Sequence, residues 1–287
     1  MLIVNAHSRR GRDLFREARS KLQEAGVRLI ESHALTDPRK LVPTVKAAVR
    51  GGAPMVIVGG GDGTLSGAVD ELVDRDCVFA LLPLGTANSF ARTLGIPLDL
   101  AGAVETIARG RRRRVDLGMI DGDYFANCAA MGLSPMIGEG IPHGLKRWLG
   151  RFGYLSWAAW CLVRFRPFRL TVRSDTGEEA RLWATEVRIA NGAHHGGVEL
   201  IESAEVDSGQ IVVQAVEGRS SLNLMRDWFA KYWKLASREQ TTREFHGRRI
   251  EIETRPRQRI SIDGEVTART PCVAAVAQCA IEVVVPA

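Results

Sequence analysis

Short apolar runs alternate with amphipathic stretches through the first third of the chain. Leu2–Val4 reads as a buried strand, and Leu14, Phe15, Ala18, Leu22 and Ala25 then fall at helical spacing. Gly26 follows as a helix stop. Arg28–Glu31 reads as a second strand. Leu41, Val42, Val45, Ala48 and Val49 form another helical stripe, entered through Asp37-Pro38, a capping residue with proline in the first turn. Met55–Val58 has the pattern of a buried strand and runs into Gly59-Gly60-Gly61. Leu65, Ala68, Val69, Leu72 and Val73 are helical again, Val78–Leu82 is strand-like, and helices are predicted near Asn88–Leu94 and Leu100–Ala108. Strand–helix alternation of this kind predicts a parallel sheet covered by helices.

The pattern changes after Arg111–Arg114, which reads as a solvated linker edge. Strand signals dominate from Val115 onward: Leu170–Val172, Glu186–Ala190, Ile211–Val216, Ile250–Glu253, Arg259–Ile262 and Ile281–Val285. One helical stretch, Leu222–Leu235, interrupts them. An α/β domain followed by a β-rich domain is the expected architecture.

Composition narrows the class. The chain has 287 residues, 45% hydrophobic and 25% charged, which suits one large or two smaller globular domains and excludes disordered and fibrous classes. The net charge of +6 fits an anionic partner, or simply solubility. Cys77, Cys128, Cys161, Cys272 and Cys279 are scattered, with no C-x-x-C pair, as expected of reduced cytosolic thiols. No secretory leader is evident at the start. The most apolar segment, Trp157–Val163, is too short to span a bilayer, which takes about 20 residues.

Candidate chemistry concentrates in the glycine-rich joint Gly59-Gly60-Gly61-Asp62-Gly63-Thr64, between a buried strand and a helix. Glycines let a backbone approach phosphates and aim successive N–H groups at them, and the helix start adds partial positive charge. Asp62 puts a carboxylate where a magnesium–phosphate complex needs one. The joint is neither a Walker motif, since no Gly-Lys-Ser/Thr follows, nor the dinucleotide G-x-G-x-x-G. The next strand ends in Pro83-Leu84-Gly85-Thr86-Ala87-Asn88-Ser89-Phe90-Ala91-Arg92. Two consecutive strands thus end in polar glycine turns whose carboxyl ends share a crevice.

These blocks resemble the diacylglycerol kinase catalytic family, which includes bacterial lipid kinases and sphingosine kinases. The resemblance runs nearly end to end: Asn5 and the polar turn after it, Gly60–Thr64, Pro83–Arg92, Asn127 with Gly132, Asn191-Gly192 with Gly196-Gly197, and Asp263-Gly264-Glu265. It implies a doubly wound nucleotide-binding α/β domain of the phosphofructokinase/NAD kinase-like type, followed by a β-sandwich lipid-substrate domain. The expected division is 1–117 plus 281–287 against 118–280. The resemblance implies ATP between the domains, with Asn5, Ala6, His7, Ser8, Arg9, Thr36, Gly59, Gly60, Gly61, Asp62, Gly63, Thr64, Leu65, Gly85, Thr86 and Asn88 on the nucleotide. It implies Mg2+ carried with ATP at Asp62, and Glu265 with Asp263 acting on the acceptor hydroxyl. Independently, phosphoryl transfer to a weakly nucleophilic hydroxyl needs in-line positioning, charge neutralisation and a carboxylate that takes the proton. An ordinary Asp-Gly turn is the competing reading of Asp263-Gly264.

The sequence departs from the family pattern at several points. Asn5-Ala6-His7-Ser8-Arg9 replaces Asn-Pro followed by Ser-Gly, Ser66-Gly67 replaces Asn-Glu, and Ser89 replaces aspartate. Asp207-Ser208-Gly209 aligns with a loop that holds a structural magnesium in bacterial members. Ser208 stands in the aspartate's place, and a hydroxyl is a far weaker magnesium ligand than a carboxylate, which leaves Asp207. Adjacent His194 and His195 would point to opposite faces of a strand, poorly placed to share a metal.

The region Leu145–Phe168 mixes Lys146, Trp148, Arg151, Phe152, Tyr154, Trp157, Trp160, Arg164 and Arg166, which suits either a headgroup interface or core packing. The expected partner is a lipid substrate met at a membrane surface by peripheral contact from the cytoplasm, with no nucleic acid and no transmembrane segment. A homodimer is left open. An ATP-dependent lipid kinase is the leading reading, with diacylglycerol as first acceptor and sphingoid base or ceramide next. The alternatives are an NAD or other small-molecule kinase, and a nucleotide-dependent membrane-binding protein without catalysis.

Overall fold

The computed structural model of the chain describes residues 1–140, 157, 160–220, 242–262 and 265–287. The first part alternates as the pattern predicts: β1 (Leu2–Asn5), α1 (Arg9–Glu24), β2 (Ser32–Leu35), α2 (Leu41–Arg50), β3 (Met55–Gly60), α3 (Asp62–Val69), β4 (Val78–Pro83), α4 (Ser89–Thr93) and α5 (Leu100–Arg109). The strands pair in parallel in the order β4-β3-β1-β2. Ser8 opens α1, its Oγ accepting the Gly11 N–H at 3.0 Å, and Gly26 (φ 84°) follows the helix end as expected. Asp37 caps the short 3-10 turn Pro38–Lys40 that leads into α2.

The second strand lies later than Arg28–Glu31. Val27 and Leu29 pack on the core, but the chain comes alongside β1 only at Glu31, whose carbonyl accepts the Leu2 N–H at 2.9 Å. Pairing then runs from Leu2 opposite Ser32 to Asn5 opposite Leu35. Hydrophobic spacing marks where a chain is buried, not where its backbone finds a partner.

The second part is mostly strand: β5 (Arg111–Ile120), β6 (Asp123–Phe125), β7 (Cys128–Gly132), then α6 (Leu133–Gly140), β8 (Phe168–Ser174), β9 (Glu179–Ala190), β10 (His194–His195), β11 (Val198–Glu199), β12 (Ile211–Glu217), β13 (Thr242–Gly247), β14 (Arg249–Arg255), β15 (Arg259–Ile262), β16 (Glu265–Arg269) and β17 (Cys272–Val285). Helix α6 breaks a region that reads as strands. The Leu222–Leu235 stretch and most of Leu145–Phe168 lie outside the described residues.

Strand β17 joins the two parts. Its first half pairs antiparallel with β14, its end pairs parallel with β4, and it runs antiparallel to β5 along nearly its whole length. Arg111–Arg114 is therefore not a linker edge: the four arginines open β5, opposite Val285, Val284, Val283 and Glu282. Their backbone completes the sheet while their long side chains reach toward water.

The β17–β5 register slips between Ala277 and Ile281, with Cys279 at φ 50°. Buried Asp116 on β5 holds this bulge. Its Oδ1 accepts the Cys279 N–H at 2.8 Å and its Oδ2 the Gly209 N–H at 2.7 Å.

One apolar core lies under the parallel strands and includes Val115, Leu117, Ile281 and Val283–Val285; a second fills the β-rich part around Phe125, Phe168, Ile189, Phe245 and Ile260. The second part also buries a polar chain. Arg188 Nε donates to Glu186 Oε1 at 2.6 Å, Arg188 Nη1 to Gln214 Oε1 at 2.8 Å, and Gln214 Nε2 to Glu244 Oε1 at 2.7 Å. All five cysteines are free. Among the described residues, no helix is long and apolar enough to cross a membrane.

Candidate active site

The two glycine joints meet as the crevice argument requires. Leu84 N–H donates to the Gly60 carbonyl at 2.9 Å, and a side chain on Gly85 would overlap the Gly61 Cα. A side chain on Gly60 would overlap Thr64. Asn88, buried and left-handed at φ 49°, ties the second joint: its Oδ1 accepts the Gly85 N–H at 2.9 Å and its Nδ2 donates to the Gly85 carbonyl at 3.0 Å. Asparagine tolerates this conformation, and its amide can both accept from and donate to its own turn.

Asp62 stands in the first turn of α3, next to the open end of the sheet, and its Oδ1 accepts the Phe90 N–H of α4 at 3.3 Å. Asn5 reaches across from β1, donating from Nδ2 to Thr64 Oγ1 at 3.3 Å. A cavity of about 580 Å³ opens here, lined by Asn5, Gly61, Gly63, Thr64, Tyr124 and Ile262 among others. A second cavity of about 250 Å³ adjoins it, sharing Ser66 and bringing Asp62, Ser89, Asn127 and His195 together.

The remaining expected residues fall in three groups. His7 is exposed on the turn after β1, with its N–H on Asn5 Oδ1 at 3.3 Å and its Nδ1 2.9 Å from the Thr36 carbonyl. Thr86 is exposed on the second joint, and Arg9 begins α1. By contrast, Ala6, Asn88 and Leu65 are buried, and Ala6 and Leu65 present no accessible surface to a ligand. Asp263 lies outside the described residues, and Glu265 begins β16 opposite Ile262.

Asn127 organises the wall of the second cavity. Its Nδ2 donates to the His194 carbonyl, and its Oδ1 accepts the Thr93 hydroxyl at 3.0 Å. Ser89 Oγ accepts the Gly197 N–H at 3.0 Å, so the serine that replaces the family's aspartate ties the His194–Gly197 turn to α4. Burial, then the Arg188 charge, lowers the His195 pKa against the opposing pull of Glu186 and Asp62, which favours the neutral ring.

The sequence resembles known families over both parts. The Diacylglycerol kinase catalytic domain matches residues 1–120, and the YegS C-terminal NAD kinase beta sandwich-like domain matches residues 130–285. The chain belongs to the diacylglycerol kinase family. It is 26% identical over 276 residues to the "Diacylglycerol kinase" of Bacillus subtilis (strain 168), covering 91% of this chain and 88% of that one. It is 32% identical over 225 residues to the "Probable lipid kinase YegS-like" of Klebsiella pneumoniae (strain 342), covering 76% of this chain and 74% of that one. The fold matches a crystal structure of a diacylglycerol kinase from Bacillus anthracis at a TM-score of 0.76, with 23% identity and 99% and 95% of the two chains covered.

In this diacylglycerol kinase-family chain, the loop at Asp207-Ser208 does not fit a magnesium ion. Asp207 is ion-paired with Arg113, and the Ser208 hydroxyl donates to the Glu205 carbonyl at 2.9 Å. Gln278 Nε2 donates to the Gly209 carbonyl at 3.3 Å. Among the described residues no three His, Cys, Asp or Glu side chains cluster as a metal site. Asp62 does fit an ion delivered with a triphosphate, being a carboxylate at a glycine turn that borders a cavity.

Sequence reasoning passed over Tyr124 and Ser66 as site residues, and gave His195 a structural or substrate-loop role. No local motif marks Tyr124, and Ser66 stood out only as a departure from the family's Asn-Glu. His195 was legible only as one of an adjacent pair, and the fold alone sets it beside Asp62.

Proposed function

We propose that this chain transfers the γ-phosphoryl group of ATP to the hydroxyl of a lipid alcohol, with diacylglycerol as the first acceptor and sphingoid base or ceramide next. One observation carries the reading. Ile262, the residue before Asp263, lines the same cavity as Asn5, Gly61, Gly63 and Thr64. The phosphate-type turn and the end of the strand that leads to the Asp-Gly-Glu block, about 200 residues apart, thus border one space, which supports the reading. The division at 117/118 with 281–287 returning to the first domain belongs to the same reading, since it follows the two cores.

The glycine turn and the α3 N-terminus hold the phosphates, and the closeness of Gly61 to Gly85 keeps side chains from filling their place. Asp62 would hold the magnesium carried by ATP, which neutralises charge on the transferring phosphoryl group. Glu265, with Asp263, takes the acceptor's proton as its oxygen bonds to phosphorus and ADP leaves. Asn127, Ser89 and His195 line the neighbouring space beside Asp62. Contact with the lipid is peripheral.

The test uses γ-labelled ATP, magnesium and mixed micelles of diacylglycerol, ceramide, sphingosine or monoacylglycerol, with Asp62→Ala and Glu265→Ala as controls. Label extracted with one lipid and lost in both variants supports the reading. No labelled lipid, with ATP binding intact, overturns it.

A further inference from the structure

Away from both cavities, the outer face of β8, β9 and β14 gathers arginines around a tryptophan. Along β8 the alternation is strict: Phe168, Leu170 and Val172 point into the core, and Arg169, Thr171 and Arg173 point out. Trp183 on β9 stands opposite Arg169. The Arg169 guanidinium lies 5.3 Å from the Trp183 ring centre and that of Arg219 5.9 Å. With Arg173, Arg181 and Arg255 they line a depression of about 550 Å³ in which Glu253 is, among the described residues, the one lining carboxylate. Glu253 is 3.5 Å from Arg255, and Glu179 at the edge is shared by Arg173 at 3.4 Å and Arg181 at 3.2 Å. Glu251 on β14, opposite Arg173, points outward as well, so Arg169, Arg173, Arg181, Arg219 and Arg255 face Glu179, Glu251 and Glu253.

An exposed apolar edge lies at the same end of the sheet. Cys161 packs with Val216, and two residues on, the Gly218 N–H donates to the Trp183 carbonyl at 2.8 Å. The helical stretch 160–164 that Cys161 anchors leaves Trp160 43% and Val163 86% exposed. Arg164 lies 4.9 Å over the Trp160 ring. Solvated sheet faces carry mixed charge and few large apolar side chains.

We propose that this face docks the chain on an anionic phospholipid bilayer, with the arginines at the headgroup phosphates and Trp160 and Val163 at the boundary of the acyl region. Tryptophan favours that boundary, and each arginine near an anionic leaflet raises partitioning roughly fivefold. Salt screens such attraction within about 8 Å at physiological ionic strength. The docking face serves the lipid-kinase reading but is tested apart from it, because binding is read without ATP.

The experiment is co-sedimentation of the full chain with vesicles of phosphatidylcholine alone or mixed with phosphatidylglycerol, at low and high salt. Binding to the mixed vesicles only, weakened by salt, is expected. Arg169→Glu with Arg219→Glu should weaken it roughly tenfold or more while ATP binding and thermal melting stay unchanged. Val163→Asp should weaken it separately, and decides the matter if the double variant does not fold. Equal binding to neutral vesicles or undiminished binding by the variants would overturn the proposal. Vesicle binding without any lipid phosphate formed would keep the docking face and sink the kinase reading. Labelled lipid in micelles without vesicle binding would do the reverse.

Discussion

Gly85 packs so tightly on Gly61 that any side chain on Gly85 would overlap the Gly61 Cα. The obstacle is backbone, so it cannot rotate away. Gly85→Ala should push the two joints apart, cost about 1–3 kcal/mol of stability and abolish ATP binding. Thermal melting and nucleotide titration check both effects. A variant that binds ATP normally would show that the joints do not form one cradle.

Asp62 offers a narrower substitution. In Asp62→Asn the side-chain oxygen can still accept the Phe90 N–H, so the fold should hold. Only the charge is lost. Product formation should fall about a hundredfold or more with little change in melting temperature. Initial rates with saturating ATP make the comparison.

The buried Arg188–Glu186 pair predicts an asymmetry. Removing one partner strands the other charge in the β-domain core, so Glu186→Ala should cost about 3–5 kcal/mol. Replacing both with apolar residues of similar volume should recover much of that loss. Urea unfolding of the single and double variants measures the difference. A double variant no better than the single would mean that bonding through Gln214 dominates.

Asp70, on the wall of the larger cavity, predicts a pH effect. Partial burial, then the Asp123 and Glu71 carboxylates, push its pKa from 3.8 up to about 6. The folded chain therefore holds this proton more tightly than the unfolded chain. The stabilisation is full below pH 3.8 and is lost as pH rises through about 6. Asp70→Asn should thus stabilise at pH 7.5, by about 1 kcal/mol after solvent screening, and give no gain near pH 4. Melting curves at the two pH values suffice.

The Asp207 loop predicts indifference to chelators. Arg113 holds Asp207, and Asp116 holds both Gly209 and Cys279. EDTA should leave the melting temperature of the nucleotide-free chain unchanged, whereas Asp116→Ala should lower stability by about 1–3 kcal/mol by removing the charged acceptor of the Gly209 and Cys279 N–H groups. A marked fall in melting temperature with EDTA would reinstate a metal at this loop.

The elements around the site were legible because each announces itself locally. The apolar run Met55–Val58, the glycines after it and the helical stripe from Leu65 to Val73 are all set by neighbours in sequence. Leu14, Ala18 and Leu22 marked α1 for the same reason. The errors fell where partners are distant. Arg28–Glu31 had a strand's composition, but on that side β1 pairs with Ser32–Leu35 and reaches only the Glu31 carbonyl of the segment before them. Arg111–Arg114 reads as solvated charge, and its side chains are; its backbone nonetheless pairs with the chain's last strand.

By itself, then, the sequence determined the alternating first part, the strand-rich second part and the two glycine joints, since period and backbone permissiveness are local properties of the chain. Only the tertiary structure decided that β17 binds both parts into one sheet, that Ile262 comes to line the Gly61–Thr64 cavity, that His195 faces Asp62, and that Arg113 satisfies Asp207. Each of these relations joins residues far apart in the chain. Whether such groups meet depends on how all the apolar faces and backbone hydrogen bonds are satisfied at once, and no local segment carries that information.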